Sequence, residues 1–145
     1  MKDKRTIQEL LEEYGLDEAT GTLQDKVKEV KREAQKVELA FNTFSKSVNP
    51  RNAETLHQRA DDFQKLASKL YDNIDSLKDA SMKPTLKLVG DSVQKSTILW
   101  GALDDYIRRT DKYNDYNIQS LVARVKKNLK IMMANVDKVK QQLSK

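Results

Sequence analysis

An unbroken alternation of four- and three-residue steps links the apolar residues Leu23, Val27, Val30, Ala34, Val37, Phe41, Phe44 and Val48. On a helix that spacing keeps a single narrow stripe, the seam by which one helix lies along another at a shallow angle. The helix predicted over about 22–48 is about 39 Å long, and no helix of that length buries such a stripe alone. Whatever else the chain does, it must supply further helices of matching length.

Three more stretches meet that demand. Asn49-Pro50 closes the first helix, since proline cannot continue a helix but fits the first turn of the next, with Asn49 as its cap. A second helix over about 50–80 then carries Ala53, Leu56, Ala60, Phe63, Ala67, Leu70, Ile74 and Leu77. After a break at Ser81 to Pro84, a third over about 84–110 carries Leu86, Val89, Val93, Ser96, Trp100, Leu103 and Ile107, widened by Leu99 and Tyr106. Trp100 is expected in the core. Gly90 and Gly101 each weaken that helix by roughly 1 kcal/mol relative to alanine, a cost that close packing would offset. The fourth, over about 115–144, carries Ile118, Val122, Val125, Leu129, Met132, Val136, Val139 and Leu143. Thr6 and Glu9 form a capping box for a short helix over about 6–14, ended by Gly15, and Thr22 is expected to cap the long helix that follows.

The predicted fold is therefore one all-α domain over 1–145, an antiparallel up-down-up-down four-helix bundle. Its heptad period implies left-handed supercoiling, and the short N-terminal helix is expected across one end. The chain has 145 residues, 34% of them charged and 6% aromatic, a balance suited to long helices with solvated outer faces. It has no cysteine, which excludes disulfides, thiolate metal sites and cysteine nucleophiles. The charged N-terminus is unlike a signal peptide, and the longest run without a polar side chain, Ile98 to Leu103, is far short of the ~20 residues of a membrane span. A cytoplasmic protein is expected, with leaderless export left open.

Net charge is +5 but unevenly spread. Residues 1–25 hold three basic and seven acidic groups, residues 111–145 eight basic and three acidic. The last helix carries Arg124, Lys126, Lys127, Lys130, Lys138 and Lys140 off its seam. A basic face of this kind can follow phosphates, which makes nucleic acid one possible partner, although no aromatic residues are interleaved to stack bases. Up-down topology also gathers Arg51, Asn52 and His57 at the same end as Arg108, Arg109, Tyr113 and Tyr116. Arginine and tyrosine combine large contact area with directed hydrogen bonds, so this end is the first candidate for binding a protein partner or a second copy of the chain.

Catalytic patterns are sparse. Arg51-Asn52-Ala53-Glu54-Thr55-Leu56-His57 fits R-N-x4-H and resembles the R-x4-6-H signature of HEPN-type ribonucleases, all-helical domains that commonly dimerise. The resemblance covers seven residues and implies that Arg51 holds a phosphate while His57 transfers protons in metal-independent RNA cleavage. Glu54-x-x-His57 also spells half of a carboxylate di-iron motif, but there is one histidine in the chain and the other seams carry no glutamate, so no metal or other cofactor is expected. The acidic pairs Glu12-Glu13, Asp61-Asp62 and Asp104-Asp105 straddle outer faces, because neighbouring helical residues point about 100° apart. The reading favoured by these residues is a non-enzymatic accessory module that binds another macromolecule.

Overall fold

The computed structural model describes residues 20–143. Among them are four long helices: α1 (Thr20–Lys46), α2 (Pro50–Ser76), α3 (Lys83–Arg108) and α4 (Asp115–Leu143). The short helix expected over 6–14, with its Thr6–Glu9 box, lies outside the described residues. Each long helix packs on its neighbour in sequence, and α1 also packs on α4, so the four surround one common core. Because α1 already includes Thr20, Thr22 falls within the helix instead of capping it.

Local chemistry explains the breaks. Asn49 is extended, with φ −153° and ψ 164°, and its side chain accepts a hydrogen bond from the Asn52 N–H at 2.8 Å. Pro50 occupies the first turn behind it, where its missing N–H leaves no helical bond unmade. At the far end α2 stops at Ser76, four residues before its expected limit. Lys78 there has φ 52°, the left-handed conformation that ends helices and favours glycine. Asp79 then accepts from the Ser81 N–H at 2.9 Å and the Ser81 hydroxyl at 2.7 Å, holding a 3-10 turn, Ala80–Met82, before α3. Lys78→Gly is expected to raise stability by about 0.5–1 kcal/mol, relieving the left-handed strain against the greater freedom of an unfolded glycine. Urea denaturation, read as a midpoint shift at unchanged slope, checks it.

The seams of α1 and α2 fall where the apolar spacing places them: Leu23 through Phe44 and Ala53 through Ile74 are buried, and only the terminal Val48 and Leu77 are partly exposed. The other two are turned relative to expectation. On α3 the buried row is Thr85, Val89, Ser92, Ser96, Leu99, Leu103 and Tyr106, while Leu86, Val93, Trp100 and Ile107 are only partly buried. On α4, Leu121, Asn128 and Asn135 join the buried row, and Ile118, Val122 and Leu143 sit at its margin. Both helices rotate toward the residue that precedes the apolar one.

Small and amide side chains account for that rotation, since they allow α3 and α4 to meet through polar pairs. Asn135 donates to Asp91 Oδ2 at 2.6 Å, and the Thr85 hydroxyl donates to Gln142 Oε1. Asn128 is satisfied locally by the Arg124 carbonyl at 2.9 Å and Ser96 by the Val93 carbonyl at 2.7 Å. The two glycines of α3 differ in kind. A Cβ on Gly90 would stand 3.1 Å from the Tyr71 ring, so this position permits close approach of α2 and α3. A Cβ on Gly101 would meet nothing within 4 Å, so packing does not explain that glycine.

Candidate functional site

Two adjacent carboxylates near the end of α3 organise the surroundings of His57 on α2 and of the α3–α4 connection. Asp104 and Asp105 are neighbours on α3, so their side chains diverge by about 100° and serve different interfaces. Asp104 turns toward α2, with Oδ1 3.6 Å from His57 Nε2 and Oδ2 3.0 Å from Arg108 Nε. Asp105 turns toward α4, with Oδ1 2.8 Å from an Arg109 guanidinium nitrogen and Oδ2 accepting the Tyr113 hydroxyl at 2.6 Å. Both arginines are thus tied to carboxylates one helical turn back.

Around the first carboxylate, His57 lies against Trp100, ring centroids 4.5 Å apart at 30°. Its Nε2 is buried and makes no hydrogen bond, the Asp104 oxygen being too distant. Arg51 is exposed in the first turn of α2. His57 lies six positions further on, which places the two about 9 Å apart along the axis and about 120° apart around it. Asn52 closes the α1–α2 loop, its side-chain amide donating to the Ser47 carbonyl at 2.7 Å. The three residues of the R-N-x4-H pattern therefore point to different surroundings.

Around the second carboxylate, Tyr113 packs edge-on against Tyr106 at 5.1 Å, and Tyr106 packs edge-on against Phe44 of α1 at 6.3 Å. Partial burial and the bond to Asp105 push the Tyr113 phenol up to about 12, and burial also raises Tyr106. The same hydroxyl, with help from Arg109, holds the Asp105 carboxyl below its ordinary value against a smaller opposing effect of desolvation. Asp105, Arg109 and Tyr113 form one wall of an open cleft of about 610 Å³ between α3 and α4. Lys112, Asn117 and Arg124 also line it.

Tyr113 supplies a test by pH. An unfolded tyrosine ionises near 10, whereas this one keeps its proton to about 12, so the contribution is full below pH 10 and is lost as pH rises through 12. Tyr113→Phe is expected to flatten the fall in stability between pH 10 and 12 and to remove a late-ionising phenol from the tyrosinate absorbance titration.

Tyr116 is 75% exposed, outside that wall. Arg124, Lys126, Lys127, Lys130 and Lys138 are all exposed, yet they do not form one stripe. At 100° per residue, Arg124, Lys127 and Lys138 share the side of α4 nearest α3, while Lys126 and Lys130 project from another side. The features that spacing by residue type missed are Trp100, Lys112 and the two aspartates. The steps Asp104–Arg108 and Asp105–Arg109 carried a readable signal, the (i, i+4) ion-pair distance.

Among the described residues, no group of three or more His, Asp or Glu side chains stands close enough to hold a metal ion. No described helix is long and apolar enough to cross a membrane. No family profile, curated protein or solved structure matches the chain.

Proposed function

We propose that the chain is a non-enzymatic interaction module of the cytoplasm that binds another protein through the Arg/Tyr-rich end of α3 and α4. The observation that carries this reading is the wall built by Asp105. One carboxylate fixes Arg109 and Tyr113 in place, and Lys112 and Arg124 face the same open cleft. Pre-fixed arginine and tyrosine side chains suit recognition, because little side-chain freedom remains to be lost on binding. The chemistry for catalysis is thinner, since the single imidazole is stacked on Trp100 with Nε2 turned inward.

The architecture behind this reading is an antiparallel up-down-up-down bundle with left-handed, heptad-based packing, and a short N-terminal helix belongs to the same proposal. Contacts between helix ends support it. Gln24 near the start of α1 donates to the Leu143 carbonyl at the end of α4 at 2.9 Å, and Thr85 near the start of α3 reaches Gln142. Phe44 and Tyr106, both near the ends of their helices, meet at the opposite pole.

Affinity capture from the source cells, with the full chain as bait, tests the reading. Arg109→Ala with Lys112→Glu changes two exposed side chains of the cleft and should deplete specific protein partners while leaving the helical circular dichroism intact. Capture of the same proteins by both baits, or of nucleic acid alone, would count against it. Light scattering of the purified chain decides whether a second copy is the partner.

A further inference from the structure

The cleft beside Tyr113 is one of two along the same face of α3. A second open cleft, of about 720 Å³, lies between the start of α3 and the end of α4, lined by Pro84, Lys87, Asp91, Lys138 and Gln142 among others. On α3 the lining positions Lys87, Asp91, Gln94, Ile98, Gly101 and Asp105 follow steps of four and three, so both clefts lie along one face of that helix. On α4, Arg124 and Lys138 are two heptads apart and share a side. From residue 84 to residue 109 the two clefts flank about 38 Å of α3, and together they make up the α3–α4 groove.

Its floor mixes small and apolar side chains with polar ones, the cleft at the start of α3 being the more apolar. Leu88 and Ala102 are partly buried, Ile98 is 40% exposed, and the open space above Gly101 would admit a side chain. Its rims are basic. The acids within it are occupied: Asp91 by Asn135 at 2.6 Å and Lys95 at 3.5 Å, Asp105 by Tyr113 and Arg109. Lys87, Lys112, Arg124 and Lys138 have no carboxylate partner among the described residues.

We propose that the α3–α4 groove docks an acidic amphipathic helix of a partner protein, its apolar stripe on Leu88, Ile98 and Ala102 and its carboxylates on Lys87, Lys112, Arg124 and Lys138. The proposal rests on the interaction-module reading and names the chemistry of its partner. A helix fits because a channel between two helices accepts the apolar edge of a third, as in helix-in-groove recognition. Charge fixes the sign of the occupant, since four uncompensated cations face two carboxylates already in use. Nucleic acid fits less well: Tyr113 is the one aromatic side chain lining the clefts, and its ring is packed on Tyr106, so no free ring is offered for a base to stack on.

Fluorescence anisotropy with the full chain tests this. The probe is a labelled synthetic helix of about 20 residues, ~30 Å long, with leucine on one edge and glutamate elsewhere. Comparators are the same peptide with lysine for every glutamate, a polyglutamate peptide of equal length, and a single-stranded RNA. The leucine–glutamate helix should bind best. Arg124→Glu with Lys138→Glu should weaken it by about tenfold or more, and Gly101→Phe, which plugs the floor from open space, by a similar factor. Lys36→Glu with Lys69→Glu, on the exposed faces of α1 and α2, should leave it unchanged. Equal binding of the lysine peptide or of polyglutamate, tighter binding of RNA, or indifference to the groove variants would overturn the proposal. If the acidic helix is ignored while cells still yield protein partners sensitive to Arg109→Ala with Lys112→Glu, only the partner's chemistry falls. If both fail, the module reading falls with it.

Discussion

Leu99→Ala is expected to lower the free energy of unfolding by about 2–5 kcal/mol, and Leu86→Ala by distinctly less. Both replace a leucine of α3 by the better helix former alanine, so helix propensity opposes the loss in each and burial is the main difference. Leu99 is fully enclosed, with 0% of its surface accessible, whereas Leu86 packs on the margin of the core and keeps part of its side chain in water. Truncating Leu99 removes buried methyl groups and leaves a hole bounded by close-packed neighbours, which adds a cavity cost to the transfer cost. Domains of this size have about 5–15 kcal/mol in total, so the first variant should sit visibly nearer its midpoint in urea titrations. Equal losses from the two variants would mean that α3 presents the row expected from its apolar residues and not the row through Thr85, Ser92 and Leu99.

That contrast marks the boundary of what the amino-acid pattern makes legible. On α1 and α2, apolar and buried positions coincide because their seams carry almost nothing but Val, Ala, Leu and Phe, and spacing alone locates the core. On α3 the same rule finds Val89, Ser96 and Leu103 but misses Thr85 and Ser92 and puts Trp100 too deep, while on α4 it finds Val125 through Val139 and misses the buried Asn128 and Asn135. The serine hydroxyls take little room and let backbones approach: Ser96 is bonded to the Val93 carbonyl of its own helix, and Ser92 is buried without a hydrogen-bond partner. The large indole is better placed at the rim, where it covers the single imidazole of the chain. Hydropathy ranks these residues in the opposite order, so periodicity found the helices and misjudged their rotation. Arg108, Arg109 and Tyr113 lie close together in the chain, but the convergence of Arg109 and Tyr113 on Asp105 could not be read from spacing. Two adjacent aspartates read as a solvated pair until the partners on α2 and after α3 are known.

Phe44→Ala should be the most damaging single truncation considered for this chain, costing about 3–5 kcal/mol, and its effect should reach the candidate site. Phe44 is fully buried and meets Tyr106 edge-on, Tyr106 meets Tyr113 edge-on, and the Tyr113 hydroxyl is bonded to Asp105. Each aromatic pair contributes about 0.5–1.5 kcal/mol beyond its buried area, and the geometry of each depends on its neighbour staying in place. Removing the first ring admits motion or water beside the second, so the burial that holds the Tyr113 proton to about 12 should weaken. Phe44→Leu keeps most of the volume and loses the ring edge, which separates packing from simple loss of folding. In that variant the late phenol should ionise at lower pH, toward its ordinary 10, while the helical circular dichroism is retained. The affinity of the α3–α4 groove for the acidic probe should fall with it, because Arg109 and Tyr113 are positioned through the same carboxylate. If Phe44→Leu is less stable but its late phenol titration is unmoved, the rings act as independent core residues. The Asp105 wall would then owe its rigidity to the Arg109 pair alone.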